Sequence, residues 1–350
     1  MNLRLLLILI LFAFCNDADA QGDFFNSDEY WENIQLDSSI ITSQVSKSDT
    51  VIIVASNRTM QNGQLRFMGE DRDDQNVRYF IVYSFQHKWH VLQTKDLNEA
   101  ISYVPDKNLD WVVYTEGMGK IFTSDLDRGM RMAGTYHVNV ILLDYPSAKT
   151  KYHLFHNYRF AILNAKIAYH AFFPVLDTIK EMKLHNKLGN DHLTLFFHSM
   201  GNNVMREIVN HNLLPAINNK AWVDNLILNA PCVPQKNHRK WVDKIHFAKS
   251  TYIHYNPNDK TLKGAHLISF KKQLGEKIKA PVSNNANYVD FELIAGERHS
   301  NFLTLLGHPP VIKAVIDYYK IVLHGDTPNF HDTILYSHAH IGYNLLPQKN

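Results

Sequence analysis

Leu193-Thr-Leu-Phe-Phe-His-Ser-Met-Gly-Asn-Asn-Val-Met-Arg-Glu-Ile-Val209 changes character halfway along its length. Leu193 to Phe197 is continuously apolar, the pattern of a strand covered on both faces. From Asn202 onward the apolar residues recur at helical spacing. Between the two lies His198-Ser199-Met200-Gly201. A serine on so sharp a strand-to-helix turn is pushed out at the carboxyl edge of a sheet. Its backbone is strained, and small neighbours are needed so that strand and helix can approach. Gly201 meets that need on the far side. The helix start offers free N–H groups to an oxyanion, and that of Met200 is the expected first donor. Phe197 stands where such turns carry a small residue, which weakens the match; a ring there can be accommodated if it turns away into the helical layer.

The flanking chain places this turn inside an alternating series. Strand-like runs occur at Val51-Ala55, Tyr79-Tyr83, Trp111-Tyr114, Val138-Leu143, Leu226-Asn229, Thr251-Tyr255 and Tyr288-Ile294. Helical patterns occupy Ser124-Ala133, Tyr158-Met182 with a kink expected at Pro174, Asn202-Asn210, His238-Phe247 and Val311-Leu323. Strands alternating with helices predict an α/β fold, with a mostly parallel central sheet of about eight strands flanked by helices. The first two strands lack an intervening helix and should be antiparallel. No Pro/Gly/Ser-rich linker divides residues 50–326, which read as one domain. Residues 21–49 read as a polar lead-in that is loosely attached, and residues 327–350 as a surface or mobile tail.

A serine nucleophile needs a base, and the base needs an orienting acid. On this kind of sheet the order along the chain is Ser, then Asp or Glu, then His. Asp259 lies in Asn256-Pro-Asn-Asp259-Lys-Thr-Leu262, after the strand at Thr251-Tyr255, and is the candidate acid; Asp243 sits in a helical stretch before that strand. Two histidines, His299 and His308, fall between the last strand and the last helix. His299 follows the strand end closely. His308 precedes Pro309-Pro310, which reads as the start of a helix, where an imidazolium is disfavoured. The second oxyanion donor is expected from Thr115-Glu116-Gly117-Met118-Gly119-Lys120, through the Met118 N–H or else that of Gly119. That Gly-x-Gly lacks the rest of a dinucleotide fingerprint, so nucleotide binding is discarded.

These residues together resemble a family of α/β-hydrolase-fold proteins of uncharacterised function, broadly esterase- or lipase-like. Its members share a Thr-Asn-Arg-like first strand, a His-Gly-Tyr oxyanion loop, a Trp-Pro-Ser strand end and an Ala-His-Ser-Met-Gly-Asn nucleophile turn. Here Ala55-Ser56-Asn57-Arg58, Asp144-Tyr145-Pro146-Ser147 and Phe197 to Asn202 correspond to three of these. Asn258 to Leu262 looks like the family's acid loop, and His299 to Phe302 like its histidine loop. Three positions depart from the pattern: Glu116 replaces His, Tyr145 replaces Trp and Phe197 replaces Ala. A carboxylate at Glu116 would repel a developing oxyanion unless it points away or is paired.

The resemblance and the triad order imply a serine hydrolase that cleaves a lipid or other carboxylic ester through an acyl-enzyme, without cofactor or metal. Amide cleavage and acyl transfer to an alcohol are narrower alternatives, and a non-catalytic binding protein on the same fold is the rival class. Met1-Asn-Leu-Arg4, the apolar run Leu5 to Phe14 and Ala18-Asp-Ala20 match a signal peptide over residues 1–20, which predicts a secreted or periplasmic protein. No later stretch has the length of a membrane helix. The chain carries 36 Lys and Arg against 34 Asp and Glu, so no global field attracts nucleic acid or an anionic membrane. Beyond Cys15 there is only Cys232, so the mature chain has no internal disulfide and relies on its core. His338-Ala-His340 is too small a set to specify a metal.

Overall fold

The computed structural model describes residues 24–347, apart from 40, 41, 49, 62, 190 and 191. The expected signal peptide lies outside the described residues. Fourteen strands occur among them: β1 (Ile34–Asp37), β2 (Val51–Ser56), β3 (Arg58–Met60), β4 (Met68–Arg72), β5 (Arg78–Phe85), β6 (Lys88–Thr94), β7 (Trp111–Thr115), β8 (Asn139–Asp144), β9 (Leu193–His198), β10 (Val223–Asn229), β11 (Ala248–Tyr255), β12 (Asn287–Asp290), β13 (Tyr336–His338) and β14 (Tyr343–Leu345). All but the β3–β4 ribbon join one sheet in the order β1-β6-β5-β2-β8-β7-β9-β10-β11-β12-β14-β13. From β2 through β8, β7, β9, β10 and β11 to β12 every pairing is parallel, whereas β2–β5 and β5–β6 are antiparallel.

The sheet is wider than the eight expected strands because β1, β6, β13 and β14 carry weak sequence signals. The turn between β5 and β6 is made by Gln86 and His87, both with positive φ, at 50° and 61°. Tight hairpins of this kind usually announce themselves with Asn-Gly or Asp-Gly, and here neither residue is a turn former. The segment read as a loose lead-in instead buries Trp31 and pairs β1 with β6. The C-terminal tail packs as well: β14 pairs with β12, and Phe330 stacks on Tyr343 at 4.4 Å.

Two helical layers sandwich the sheet. Six helices have nine residues or more among the described residues: α1 (Phe122–Tyr136), α2 (Leu154–Ile167), α3 (Tyr169–Leu184), α4 (Asn202–Asn210), α5 (Lys260–Ser269) and α6 (Lys313–Leu323). Alternate strand residues feed opposite cores. Val113, Leu195, Phe197 and Leu228 pack with α2, α3 and α4. Val112, Tyr114, Phe196 and Ile227 pack with α1 and α6 on the other face. Each central strand is thus buried along its whole length, with apolar residues on both faces, which is why these runs read continuously rather than alternately.

Three helical or strand boundaries differ from the sequence reading. The break expected at Pro174 lies at Ala168, which ends α2 and begins α3; Pro174 sits inside α3. The strand expected to reach Ile294 stops at Asp290, whose carboxylate accepts from the Glu292 N–H at 2.8 Å and turns the chain into a short helix, Glu292–Ala295. Of His238 to Phe247, only Arg239–Val242 is helical.

Candidate active site

Ser199 stands at the end of β9 with φ 51°, the strained left-handed backbone that a nucleophile turn demands. Close approach is literal here. A Cβ on Gly201 would lie 2.6 Å from the Glu116 carbonyl oxygen and 2.8 Å from that of Thr115. A Cβ on Gly117 would lie 2.6 Å from the Ser199 Cβ. Neither position tolerates a side chain without displacing the turn. Two asparagines at the start of α4 fasten it: Asn202 Nδ2 donates to the carbonyls of Phe197 and Ser199, at 2.9 and 3.0 Å, and Asn203 Nδ2 to that of Met200 at 2.9 Å. Phe197 is wholly buried in the core beside α4, so its ring turns away from Ser199 into the helical layer.

Asp259 and His299 meet this serine. His299 Nδ1 lies 2.6 Å from Asp259 Oδ2, and His299 Nε2 lies 2.7 Å from Ser199 Oγ. A carboxylate only accepts, so Nδ1 carries the proton; Nε2 of the neutral ring then accepts from the serine hydroxyl. Asp259 has a second task, its Oδ1 capping α5 by accepting from the Leu262 N–H at 2.9 Å. The turn-capping and orienting readings of this residue are therefore both occupied, one by each oxygen. His308 is exposed and Asp243 pairs with Arg239 and Ser283; neither reaches Ser199.

The loop after β7 lies against the nucleophile. Gly117 N–H donates to the Glu116 carboxylate at 3.0 Å, Gly119 N–H to the Ser147 carbonyl at 3.1 Å, and Lys120 N–H to Ser147 Oγ at 2.9 Å. The Met118 N–H has no acceptor among the described residues. Met200 N–H belongs to the first turn after Ser199, where amides lack intrahelical partners. Met200 and Met118 are the residues whose amides the sequence singled out as donors, and neither N–H is taken up by a protein acceptor among the described residues.

Glu116, the residue that matched the chemistry least, points inward. It is almost wholly buried, with Arg128 Nε and His198 Nε2 each 3.9 Å from its carboxylate. Burial alone would raise its pKa. The nearby His198, Lys120 and Arg128, with the Gly117 N–H, outweigh that and hold it down at about 2. Its charge is thus met by the Arg128 guanidinium of α1 and by the Gly117 N–H.

Two groups of residues escaped the sequence reading of the site. The first braces the loop after β7. Arg58 Nε binds Asp144 at 2.8 Å, while its Nη2 donates to the Tyr145 carbonyl at 2.8 Å and to that of Lys120 at 3.1 Å. Ser56 Oγ donates to the same Asp144. Asp125 lies beside them, 3.9 Å from Arg58 Nη2, and burial first and then Asp144 push its pKa well above the ordinary value. The Ser-Asn-Arg and Asp-Tyr-Pro-Ser stretches therefore serve as one support, tying β2 and β8 to the loop after β7.

The second group holds the histidine loop. Asn229 Nδ2 donates to His198 Nδ1 at 2.9 Å, which leaves the His198 proton on Nε2, 3.2 Å from Ser300 Oγ. Asn229 Oδ1 accepts from Tyr319 at 2.6 Å and from His254 Nδ1 at 3.0 Å, and Tyr319 also reaches Asn301 at 3.0 Å. His299 is thus followed by two residues pinned to a buried polar chain. Burial keeps both inner imidazoles neutral. It lowers His254 to about 3, and it lowers His198 to about 3 despite the opposing pull of Glu116.

That neutrality has a cost at low pH. Between about pH 6.5 and 3 the unfolded chain binds protons on these histidines and the folded chain does not, so stability falls as pH falls through that window. On acidification from neutrality to pH 5, each histidine is expected to remove up to about 2 kcal/mol. Thermal midpoints measured across this range should drop steeply for the natural chain and less steeply for His254→Gln. Equal slopes would refute the assignment.

The remaining sequence candidates are structurally plain. Cys232 is buried, and burial first, then the Asp259 charge, pushes its thiol up to about 12, which suits a packed residue. His338 lies in β13 against the Tyr343 ring, and no cluster of three His, Cys, Asp or Glu suited to a metal occurs among the described residues.

No curated protein and no solved structure matches the chain. A family model described as an alpha/beta hydrolase of unknown function (DUF900) matches residues 91–297. The matched stretch contains the loop after β7, Ser199 and Asp259, and stops two residues short of His299. With more than half of its length so matched, on a sheet of the corresponding architecture, the chain belongs to this family of alpha/beta hydrolases of unknown function.

Proposed function

We propose that the protein is an exported serine hydrolase that cleaves a carboxylic ester through a covalent acyl-enzyme. The observation that carries this reading is one line of atoms: Ser199 Oγ to His299 Nε2 at 2.7 Å, and His299 Nδ1 to Asp259 Oδ2 at 2.6 Å. In the reaction Ser199 Oγ attacks the ester carbonyl carbon as its proton passes to His299 Nε2. Asp259 holds the ring in the tautomer that can accept that proton and offsets the charge of the imidazolium. The carbonyl oxygen, now negative, takes hydrogen bonds from the Met200 and Met118 N–H groups. Collapse expels the alcohol, which leaves with the proton from His299. Water then attacks the acyl group with His299 again as base, releasing the acid and restoring Ser199. None of these steps calls on a metal or cofactor.

Export rests on the sequence of residues 1–20 alone. A non-catalytic reading would draw on Glu116 and Phe197; against it, the Glu116 carboxylate is held by the Gly117 N–H beside Arg128, and Phe197 is buried in the core beside α4. Two-step acyl transfer makes a specific kinetic demand. Mixing the protein with an activated soluble ester should release a burst of alcohol equal in amount to the enzyme, followed by slower turnover. Steady release without a burst at any pH, or none at all, would count against the reading.

A further inference from the structure

The near balance of charge over the whole chain hides a strong local excess. Residues 231–282 hold 11 Lys and Arg against only 3 Asp and Glu. Those three acids are engaged: Asp243 with Arg239, Asp259 with His299, and Glu276 with His266. Eight exposed lysines in this stretch have no ion-pair partner among the described residues, among them Lys236, Lys271, Lys272, Lys277 and Lys279. Gln235 draws four of them together. Its N–H donates to the Lys272 carbonyl at 2.9 Å and its Nε2 to that of Lys279 at 3.0 Å, with Lys236 and Lys271 adjacent in the chain.

Large apolar side chains stand in the same place. Phe270 closes α5 in a left-handed conformation, φ 56°, and is 89 % exposed, the most exposed of the large hydrophobic residues described. Leu267, one turn earlier on the same side of α5, is also exposed. The Tyr158 hydroxyl faces Ser269, and Phe155, one turn from Tyr158 on α2, is half exposed beneath the Arg159 guanidinium. Single exposed hydrophobes are ordinary. A nearly bare phenylalanine followed directly by two unpaired lysines is not.

This surface belongs to the mouth of the site. The loops after β10 and β11 both leave the carboxyl edge where Ser199 sits, and they are stitched together by Leu274 N–H to the Val233 carbonyl at 2.8 Å and Gly275 N–H to that of Pro231 at 2.9 Å. One residue further on, the Cys232 N–H donates to the Ser199 carbonyl at 3.0 Å. α5 itself starts at Asp259. Cations alone would suit any polyanion. Cations framing an aromatic tip suit a surface that is anionic outside and apolar beneath, since lysines are attracted to its charge while the ring inserts at the boundary.

We propose that this face docks the protein onto an anionic lipid bilayer, so that Ser199 draws its ester from the membrane; the second clause rests on the hydrolase reading and the first does not. The test is sedimentation of the purified chain with vesicles of phosphatidylcholine, with and without phosphatidylserine. The natural chain should bind the anionic vesicles more tightly. K271A/K272A should lose roughly tenfold or more on anionic vesicles and little on neutral ones. F270S should lose about tenfold on anionic vesicles, through the lost insertion of the ring. Equal binding to both vesicles, or anionic binding untouched by all these changes, overturns the proposal. So does heparin held tightly, and as tightly by F270S, by a protein that ignores vesicles, which would assign the face to a soluble polyanion. Hydrolysis of a short water-soluble ester should be the same in these variants. Its absence from the natural chain would defeat the hydrolase reading and leave the vesicle result standing.

Discussion

Ser199→Ala should abolish turnover of a soluble ester, lowering kcat by roughly 10⁵-fold or more, with the fold intact. The substitution deletes one atom. Cβ stays in the narrow space against Gly117, and alanine at φ 51° is no worse placed than serine. The Asn202 and Asn203 clamps act on backbone carbonyls and are untouched. The measurement is steady-state hydrolysis beside a thermal melt of the same preparation. A variant that keeps more than a few per cent of activity while melting normally would mean that another group attacks the ester.

Asp259→Asn should cost about 10⁴ in kcat. Asparagine can keep Oδ1 on the Leu262 N–H, so α5 remains capped and the loop should stay in place. It then presents its amide N–H to His299 Nδ1, which forces the ring to carry its proton on Nε2, where it can no longer accept from Ser199. KM should change little, because Asp259 is wholly buried and touches no substrate. A loss of less than tenfold, with the histidine still in place, would remove Asp259 from the mechanism.

The nucleophile turn was legible because a buried strand, a Ser-x-Gly and a helix coincide within seventeen residues. The triad order was legible because this architecture fixes it along the chain, with Asp259 at the end of β11 and His299 just beyond β12. The choice of His299 over His308 rested on proximity to the strand end and on Pro309-Pro310, which marks His308 as a helix entry. Side-chain direction was not legible. Glu116 and Phe197 looked like defects because a sequence does not say that one turns inward to Arg128 and the other into the core beside α4. The Asn229 network was equally hidden: its partners lie 25, 31 and 90 residues away, and each alone is an ordinary core residue. The Ser56, Arg58 and Asp144 brace was visible only as a family likeness, and its reason is the loop it supports.

Charge gives the same lesson at larger scale. A total of 36 cations against 34 anions excludes a global field, yet the loops after β10 and β11 gather an excess that the whole-chain balance conceals. The outer strands were missed for a related reason. β6 follows a hairpin turn of Gln86 and His87, residues with no intrinsic preference for it, so tertiary pairing decides what local chemistry leaves open.

The most direct test of the central claim is to treat the folded protein with a fluorophosphonate and map the adduct by peptide mass spectrometry. A single phosphonate on Ser199, absent from Ser199→Ala and strongly slowed in His299→Ala, is the predicted result. No adduct on the folded protein, or an adduct on another residue that survives Ser199→Ala, would contradict it.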